Sequence, residues 1–135
     1  MALQVELVSP ERILFSGEAD MVVCRTIEGG EIAFLTGHAP FLGALDESEV
    51  RIKASGGGSD TSARIAGGFV EVRDDRVIIL SDEAELVGEV DVEAARRDRE
   101  DAERRLSAAS DDEEARVLLR RATVRLELAE GAAAS

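Results

Sequence analysis

The hydrophobic period of this chain changes once, close to Gly88. Before that point, apolar residues alternate with polar ones in short runs, as at Leu3, Val5 and Leu7. Beyond it, apolar residues recur every three or four positions, which is the spacing of one face of a helix. We therefore expect an antiparallel β sandwich of about ten short strands over residues 1–88, followed by an α-helical hairpin over residues 89–135.

The predicted strands are short and end at turn residues. Gly17 divides one apolar run, and the SGGGS segment at 55–59 forms a hairpin tip. Asp74 and Asp75 join two further strands as a tight hairpin. The strands that the alternation predicts are residues 3–7, 13–15, 21–26, 31–34, 41–45, 49–54, 61–66, 69–73 and 77–80.

The two predicted helices begin at capping residues. Asp91 is the expected N-cap of the first helix, whose apolar stripe is narrow and rich in alanine. The sequence Ser-Asp-Asp-Glu from Ser110 matches a capping box and opens the second helix, which we expect Gly131 to end. Apolar residues occupy two faces of the second helix, so this hairpin is a candidate moving part with alternative neighbours.

Charge and cysteine content narrow the possible partners. The chain has 29 acidic and 16 basic residues and a formal net charge of -13, which opposes binding to nucleic acid and to anionic lipid. We expect no nucleic acid partner and no direct lipid insertion.

Cys24 is the only cysteine, so no intrachain disulfide can form. The N-terminus lacks the pattern of a signal peptide, and we expect a cytoplasmic chain that only a partner holds at a membrane.

Motifs for catalysis are missing from the sequence. His38 is the only histidine, and no P-loop, HExxH or GxSxG pattern occurs. Because His38 precedes Ala39 and Pro40, it is better suited to shaping a tight loop than to transferring protons. We expect no catalytic residue, no metal site and no cofactor.

Three sequence blocks carry a resemblance to a known family. They are SPERILFSGEA at 9–19, GEIAFLTGHAPFLGALDESEVRI at 30–52 and IAGGFVEVRDDRVIILSDEAE at 65–85. In this order, and followed by a predicted helix pair, they resemble the ε subunit of bacterial F-type ATP synthases. The resemblance covers nearly the whole chain. It implies a non-catalytic rotor subunit of the central stalk, peripheral at the cytoplasmic face of the cell membrane.

The resemblance also implies partners and contact residues. A loop containing Gly30, Glu31 and His38 would face the membrane c-ring. The sandwich would pack on the γ subunit, with Phe41, Leu42 and Val50 as candidates, although each of these also fits the core. The hairpin would reach the α/β head and restrain ATP hydrolysis. Its candidate contacts to the β subunit are Arg116, Arg120, Arg121 and Arg125; their alternative is pairing along a solvated helix, for example Arg116 with Glu113.

Several bacterial members of this family bind ATP through an Ile/Leu-Asp-x-x-Arg-Ala motif. Here the matching segment starts at Val90, retains Asp91 and has Ala94 in the arginine position. Without that charge near a phosphate, we expect weak or absent nucleotide binding. Two other classes stay open: a free-standing nucleotide-responsive regulatory module, which needs a preformed pocket, and a sandwich-fold enzyme, for which no acid, base and nucleophile converge in sequence.

Overall fold

A computed structural model describes residues 2–134, with backbone only for residues 132–134. The chain divides into two compact units, Met1–Leu86 and Val87–Ser135. The first unit is built from strands and the second from helices. The predicted fold class, a β sandwich followed by a helical hairpin, is confirmed.

The first unit forms one strongly bent sheet. Its described strands are β1 (Leu3–Val8), β2 (Ile13–Thr26), β3 (Gly30–Leu35), β4 (Phe41–Ala54), β5 (Thr61–Arg73), β6 (Arg76–Leu80) and β7 (Ala84–Leu86). Neighbouring strands follow the order β1-β6-β5-β4-β2-β3, and β1 also pairs with β2. Five strands therefore close into a ring, from which β3 extends beside β2 and β7 beside β5.

The strands are fewer and longer than the sequence predicted. Seven described strands replace the expected ten or so. β2, β4 and β5, with 13 or 14 residues each, join segments that were predicted as separate strands, whereas β7 was not among the predicted strands. Gly17 lies inside β2, opposite Val5 of β1. β2 changes partners a few residues later: it pairs with β1 up to Ala19, with β4 from Ala19 and with β3 from Met21. Register shifts accompany this change, as is usual where bulges redirect a strand.

One strand pair is parallel, whereas the prediction was antiparallel throughout. β1 runs parallel to β6, with Val5 beside Val77 and Val8 beside Leu80. The other four pairs in the closed ring are antiparallel. A closed ring with an odd number of strands cannot alternate direction all the way round, so at least one parallel pair must occur.

The core of this unit lies inside the ring. Leu3, Val5 and Leu7 point inward with almost no exposed surface, as their alternation predicted. Phe34 is the one fully buried aromatic residue among those described. The other buried apolar residues of the core are Ala19, Val22, Cys24, Leu45, Val50, Ile52, Ala63, Ile65, Val70, Val72, Val77 and Ile79.

The predicted hairpin at Asp74 and Asp75 is confirmed. Both residues have positive φ, 50° and 58°, and Arg73 opposes Arg76 across the two-residue turn. Aspartate tolerates this left-handed conformation better than most side chains. The Asp75 carboxylate also accepts a hydrogen bond of 2.7 Å from the Gly37 backbone N–H, which ties this turn to the loop after β3.

The second unit contains α1 (Val92–Ala108) and α2 (Glu113–Ala134), which pack against each other. Asp91 is the N-cap of α1, as predicted, and its carboxylate accepts from the Ala94 N–H at 3.0 Å. The N-cap of α2 is Asp112 and not Ser110, because the Asp112 carboxylate reaches the Ala115 N–H at 3.0 Å. Gly131 does not end α2, which continues to Ala134.

Small side chains fill the buried stripes of these helices. Ala95 and Ala102 of α1 and Ala115, Ala122 and Leu126 of α2 have almost no exposed surface. Neither helix in the described part of the chain combines the length and the apolar character that a membrane span requires.

Candidate functional site

The groups most capable of chemistry are held in structural roles. Cys24 is buried in β2, and burial raises the pKa of its thiol to about 12. His38 Nδ1 lies 2.7 Å from the Ala39 carbonyl oxygen, and its ring packs edge-on against Phe34 with 4.9 Å between ring centroids. Within residues 2–134 no three His, Cys, Asp or Glu side chains are grouped so that they could hold a metal ion.

Glu31 lies at the start of β3, directly after a tight turn. Gly30 has a φ of 72°, and Thr26 stabilises the turn by accepting from the Gly29 N–H and donating to the Gly30 carbonyl. The Glu31 side chain is 55% exposed, and its carboxylate lies 3.5 Å from the Arg51 guanidinium. An exposed ion pair of this kind contributes at most about 1 kcal/mol, so it leaves Glu31 available to a partner.

Glu31 and His38 do not share one loop, contrary to the prediction. Glu31 lies at the start of β3, whereas the His38 N–H donates to the Leu35 carbonyl just beyond its end. At ~3.3 Å per residue, the strand between Glu31 and Leu35 spans roughly 13 Å. Gly30 and Glu31 therefore form one surface, and His38 belongs to another.

The three residues predicted to face γ occupy different environments. Leu42 is 71% exposed. Phe41 is half-buried, with its ring 5.4 Å from Phe34 and packed over Gly43. Val50 has no exposed surface and is part of the core, so its side chain cannot meet a partner without unfolding the sheet.

A groove of about 730 Å³ connects Glu31 to Leu42. Its lining includes the apolar Ile27 and Ile32 and the acidic Glu28 and Glu31. Ile27 is mostly exposed although it is large and apolar. A partner segment with an apolar side chain and a neighbouring positive charge would suit this groove.

The outer face of the sheet carries a patch of apolar residues, here called the outer patch. It consists of the exposed Ile13, Leu42, Phe69 and Leu80 and the half-buried Val8. Ile13 opposes Val8, Val8 lies beside Leu80, and Leu80 opposes Phe69. Leu42 lies on the same face, two residues along β4 from the partner of Phe69. Isolated exposed apolar residues are common, but an apolar patch that extends across five strands is typical of a protein interface.

Sequence analysis missed most of the outer patch. Phe69 and Leu80 were assigned to strands but not to a surface. A signal was present, because each is followed or preceded in sequence by a buried apolar residue, Val70 or Ile79, so both faces of these strands are apolar. Their grouping with Ile13 follows from the ring closure, which the spacing of the strands does not show.

The four arginines of α2 do not form one row. At 100° per residue, Arg116 and Arg120 lie on one side of the helix and Arg121 and Arg125 on nearly the opposite side. Arg116 donates to the Glu113 carboxylate at 3.0 Å and to the Ser110 carbonyl at 2.6 Å. The alternative role predicted for Arg116, a pair with Glu113, is thus present.

Asp91 has a structural task at the position of the nucleotide motif. Its carboxylate caps α1 through the Ala94 N–H. Ala94, in the position where the motif has arginine, offers no charge, so no basic side chain of this motif accompanies Asp91.

Comparisons with known proteins agree on one family. A sequence model of the family described as ATP synthase, Delta/Epsilon chain, beta-sandwich domain matches residues 2–87. The ATP synthase epsilon chain of Halalkalibacterium halodurans is 42% identical, with 94% of this chain and 96% of the relative covered. The ATP synthase epsilon chain of Thermobifida fusca is 45% identical, with 94% and 91% covered.

Solved structures of ATP synthases contain similar chains. One, in the cryo-EM structure of the Euglena gracilis mitochondrial ATP synthase with OSCP, F1 and c-ring, has a TM-score of 0.70 and 26% identity, with 98% of this chain and 80% of that chain covered. Another, in the Tetrahymena thermophila mitochondrial central stalk and c-ring, has a TM-score of 0.55 and 18% identity over 67% and 71% of the two chains. The second likeness shows the fold alone.

Proposed function

We infer the role of this chain from its family, because the chain belongs to the epsilon chains of F-type ATP synthase. We propose that it is a non-catalytic rotor subunit of the central stalk that couples rotation of the c-ring to ATP synthesis through γ. In this role it lies at the cytoplasmic face of the membrane, held there by the complex. Such a subunit needs a rigid body and complementary surfaces, and the closed ring of strands supplies the first.

The outer patch is the surface that we assign to γ. It groups four large side chains with more than half of their surface exposed, Ile13, Leu42, Phe69 and Leu80. A groove of about 310 Å³ between Val8, Phe69 and Leu80 could receive an apolar side chain from the partner. Burial of such residues at the centre of an interface commonly supplies most of its binding energy. This patch is the observation that carries the proposal.

The c-ring contact is assigned to the turn at Gly30 and Glu31 with its adjoining groove. Glu31 is exposed, negatively charged and positioned by a turn that Thr26 stabilises. Leu42 belongs both to the outer patch and to the groove lining. The two assigned surfaces are therefore continuous, as expected for a subunit wedged between γ and the ring.

A matched pair of leucines tests the γ assignment. Leu80 lies in the outer patch and Leu35 outside it, and each is 53% exposed. We expect Leu80→Asp to weaken binding to a γ-containing catalytic head that lacks this subunit at least about tenfold, whereas Leu35→Asp leaves binding unchanged. Surface plasmon resonance would measure both affinities. Equal losses from the two variants, or none from Leu80→Asp, would remove the assignment.

We further propose that the hairpin restrains wasteful ATP hydrolysis through Arg116, Arg120, Arg121 and Arg125 on α2. Support comes from their distribution on two sides of α2, which allows contacts with acidic groups on either side. Replacement of all four by Ala should raise ATP hydrolysis by the assembled enzyme at low salt. The matched control replaces Arg96, Arg97, Arg99 and Arg104 of α1, which removes the same charge. Unchanged hydrolysis in the α2 variant, or an equal rise in both, would contradict this role.

A further inference from the structure

Arg64 is the largest fully buried side chain among the described residues. It lies on β5 between Ala63 and Ile65, and only 2% of its side chain is exposed. A buried guanidinium is costly unless its N–H groups are hydrogen bonded to negative charges. Arg64 therefore needs acidic neighbours that accept hydrogen bonds from its guanidinium.

Three carboxylates surround the Arg64 guanidinium. Its Nε donates to Glu85 at 2.8 Å, its Nη2 to Glu83 at 2.7 Å, and its Nη1 to Glu47 at 3.3 Å. Although burial, the largest single influence, lowers the pKa of Arg64, the hydrogen bonds and charges of Glu83 and Glu85 together raise it above the usual value. Arg64 thus stays charged, and two of its three partners come from the segment that ends the sandwich.

That segment also has attachments of its own. The buried Ser81 at its start donates its N–H to the Val8 carbonyl at 3.0 Å and its hydroxyl to the Gly67 carbonyl at 2.6 Å. Beyond Ser81, the Ala66 N–H donates to the Glu83 carbonyl at 2.9 Å. β7 itself has only three residues, all half-buried, and the described strand that it pairs with is β5. Leu86 is the last residue of the first unit, so β7 is the point where the chain leaves the sandwich.

We propose that Arg64 is a positioning clamp that fixes β7 to β5 and thereby sets the residue at which the chain leaves the sandwich. With the clamp closed, the connection to the helices begins at Val87. Without it, Glu83 and Glu85 lose their hydrogen bonds to Arg64 and the Arg64 charge that offsets the mutual repulsion of the three carboxylates, which favours release of the segment 82–86.

Release would lengthen the tether of the helical hairpin. The five residues 82–86, once freed, span at most about 18 Å when extended. This consequence rests on the proposed moving hairpin, because only a hairpin that relocates is affected by tether length. The clamp itself does not depend on any partner.

Hydrogen exchange of the isolated full chain tests the clamp. In Arg64→Met, exchange of the amides in 82–86 should rise at least about tenfold, while the amides of β6 stay within about twofold of the wild type. Arg51→Met is the matched control, because Arg51 also pairs with two carboxylates, Glu31 and Glu49, but is 40% exposed. It should leave the exchange of 82–86 unchanged. If Arg64→Met does not fold, Glu85→Gln removes one partner charge and should raise exchange in the same segment.

Wild-type protection of 82–86 in Arg64→Met, or an equal rise across β6, would overturn the proposal. The second outcome would mean that Arg64 supports the whole sandwich. Neither outcome bears on binding to γ, so the clamp can fail while the rotor role stands. Conversely, loss of the rotor role leaves the exchange result unaffected.

Discussion

At the scale of single residues, Gly68 shows how tightly β5 and β6 approach each other. Its φ is 139°, a conformation that other residues rarely adopt, and an added Cβ would lie 2.1 Å from the Leu80 carbonyl oxygen. Backbone cannot move away as a flexible side chain can. The position therefore requires glycine for two independent reasons.

We expect Gly68→Ala to lower the free energy of unfolding by roughly 2–4 kcal/mol, from backbone strain and steric overlap. Gly17→Ala is the control, because Gly17 also lies within a strand but an added Cβ there meets the Phe15 ring at an ordinary 3.7 Å. It should change stability by at most about 0.5 kcal/mol. Urea denaturation measures both, and similar values for the two variants would contradict the assigned role of Gly68.

Cys24 should be unreactive while the chain is folded. Its pKa is raised to about 12 by burial, so at pH 8 about one thiol in ten thousand is ionised. Ellman's reagent should therefore label the native protein negligibly over an hour and one thiol per chain in guanidinium chloride. Complete labelling under native conditions would show that β2 opens readily or that the thiol is accessible.

At the scale of elements, the turn between α1 and α2 is closed by charged groups. Arg105 donates to both oxygens of Asp112, at 3.1 and 3.2 Å, and Asp112 also caps α2 through the Ala115 N–H. The Ala115 N–H, together with Arg105, holds the pKa of the Asp112 carboxyl below its usual value. The capped turn therefore depends on an ionised Asp112.

The contribution of Asp112 should be lost in acid. Because its pKa is lowered on folding, its stabilisation is complete above the unfolded value of about 4 and disappears as pH falls through the folded value. We expect Asp112→Ala to melt at a lower temperature than the wild type at pH 7 and at nearly the same temperature at pH 2. The helical circular dichroism signal measures this, with Asp111→Ala as the control that melts normally. A difference that persists unchanged in acid would contradict the electrostatic role.

Sequence reasoning predicts an element correctly when residues close in sequence determine its geometry. Asp91 caps α1 and Asp74 turns the β5–β6 hairpin because neighbouring backbone alone determines these geometries. It fails where residues distant in sequence determine the strand pairing or the helix cap. Gly17 does not end β2, because pairing with β1 continues on either side of it. Asp112, and not Ser110, caps α2 because Arg105, seven residues before Asp112, holds the Asp112 carboxylate in place.

At the scale of the whole molecule, the ring closure determines which surfaces exist. The sequence predicted Leu42 and Glu31 as contacts, and both are exposed. It could not show that Val50, unlike Leu42 and Glu31, is buried, because the burial of a strand residue depends on how the strands are arranged around it. The burial and ion pairs of Arg64 could not be predicted either, because its three carboxylate partners lie 17 to 21 residues away in sequence.

The isolated chain should not bind ATP with micromolar affinity. Asp91 is engaged as a cap, and Ala94 supplies no charge where the motif of some relatives has arginine. Isothermal titration calorimetry should detect no such binding by the wild type, while Ala94→Arg should bind more tightly. Micromolar binding by the wild type would favour the free-standing nucleotide-responsive module over a purely mechanical subunit.

The rotor role is tested most directly by asking whether this chain is a stoichiometric component of a membrane ATPase. A tagged copy would be expressed in the native host, and the membranes solubilised in detergent before affinity purification. Quantitative mass spectrometry should then find one copy of the chain per ATP synthase, together with γ and the c-ring. Recovery of the chain without these subunits would contradict its assignment to the central stalk.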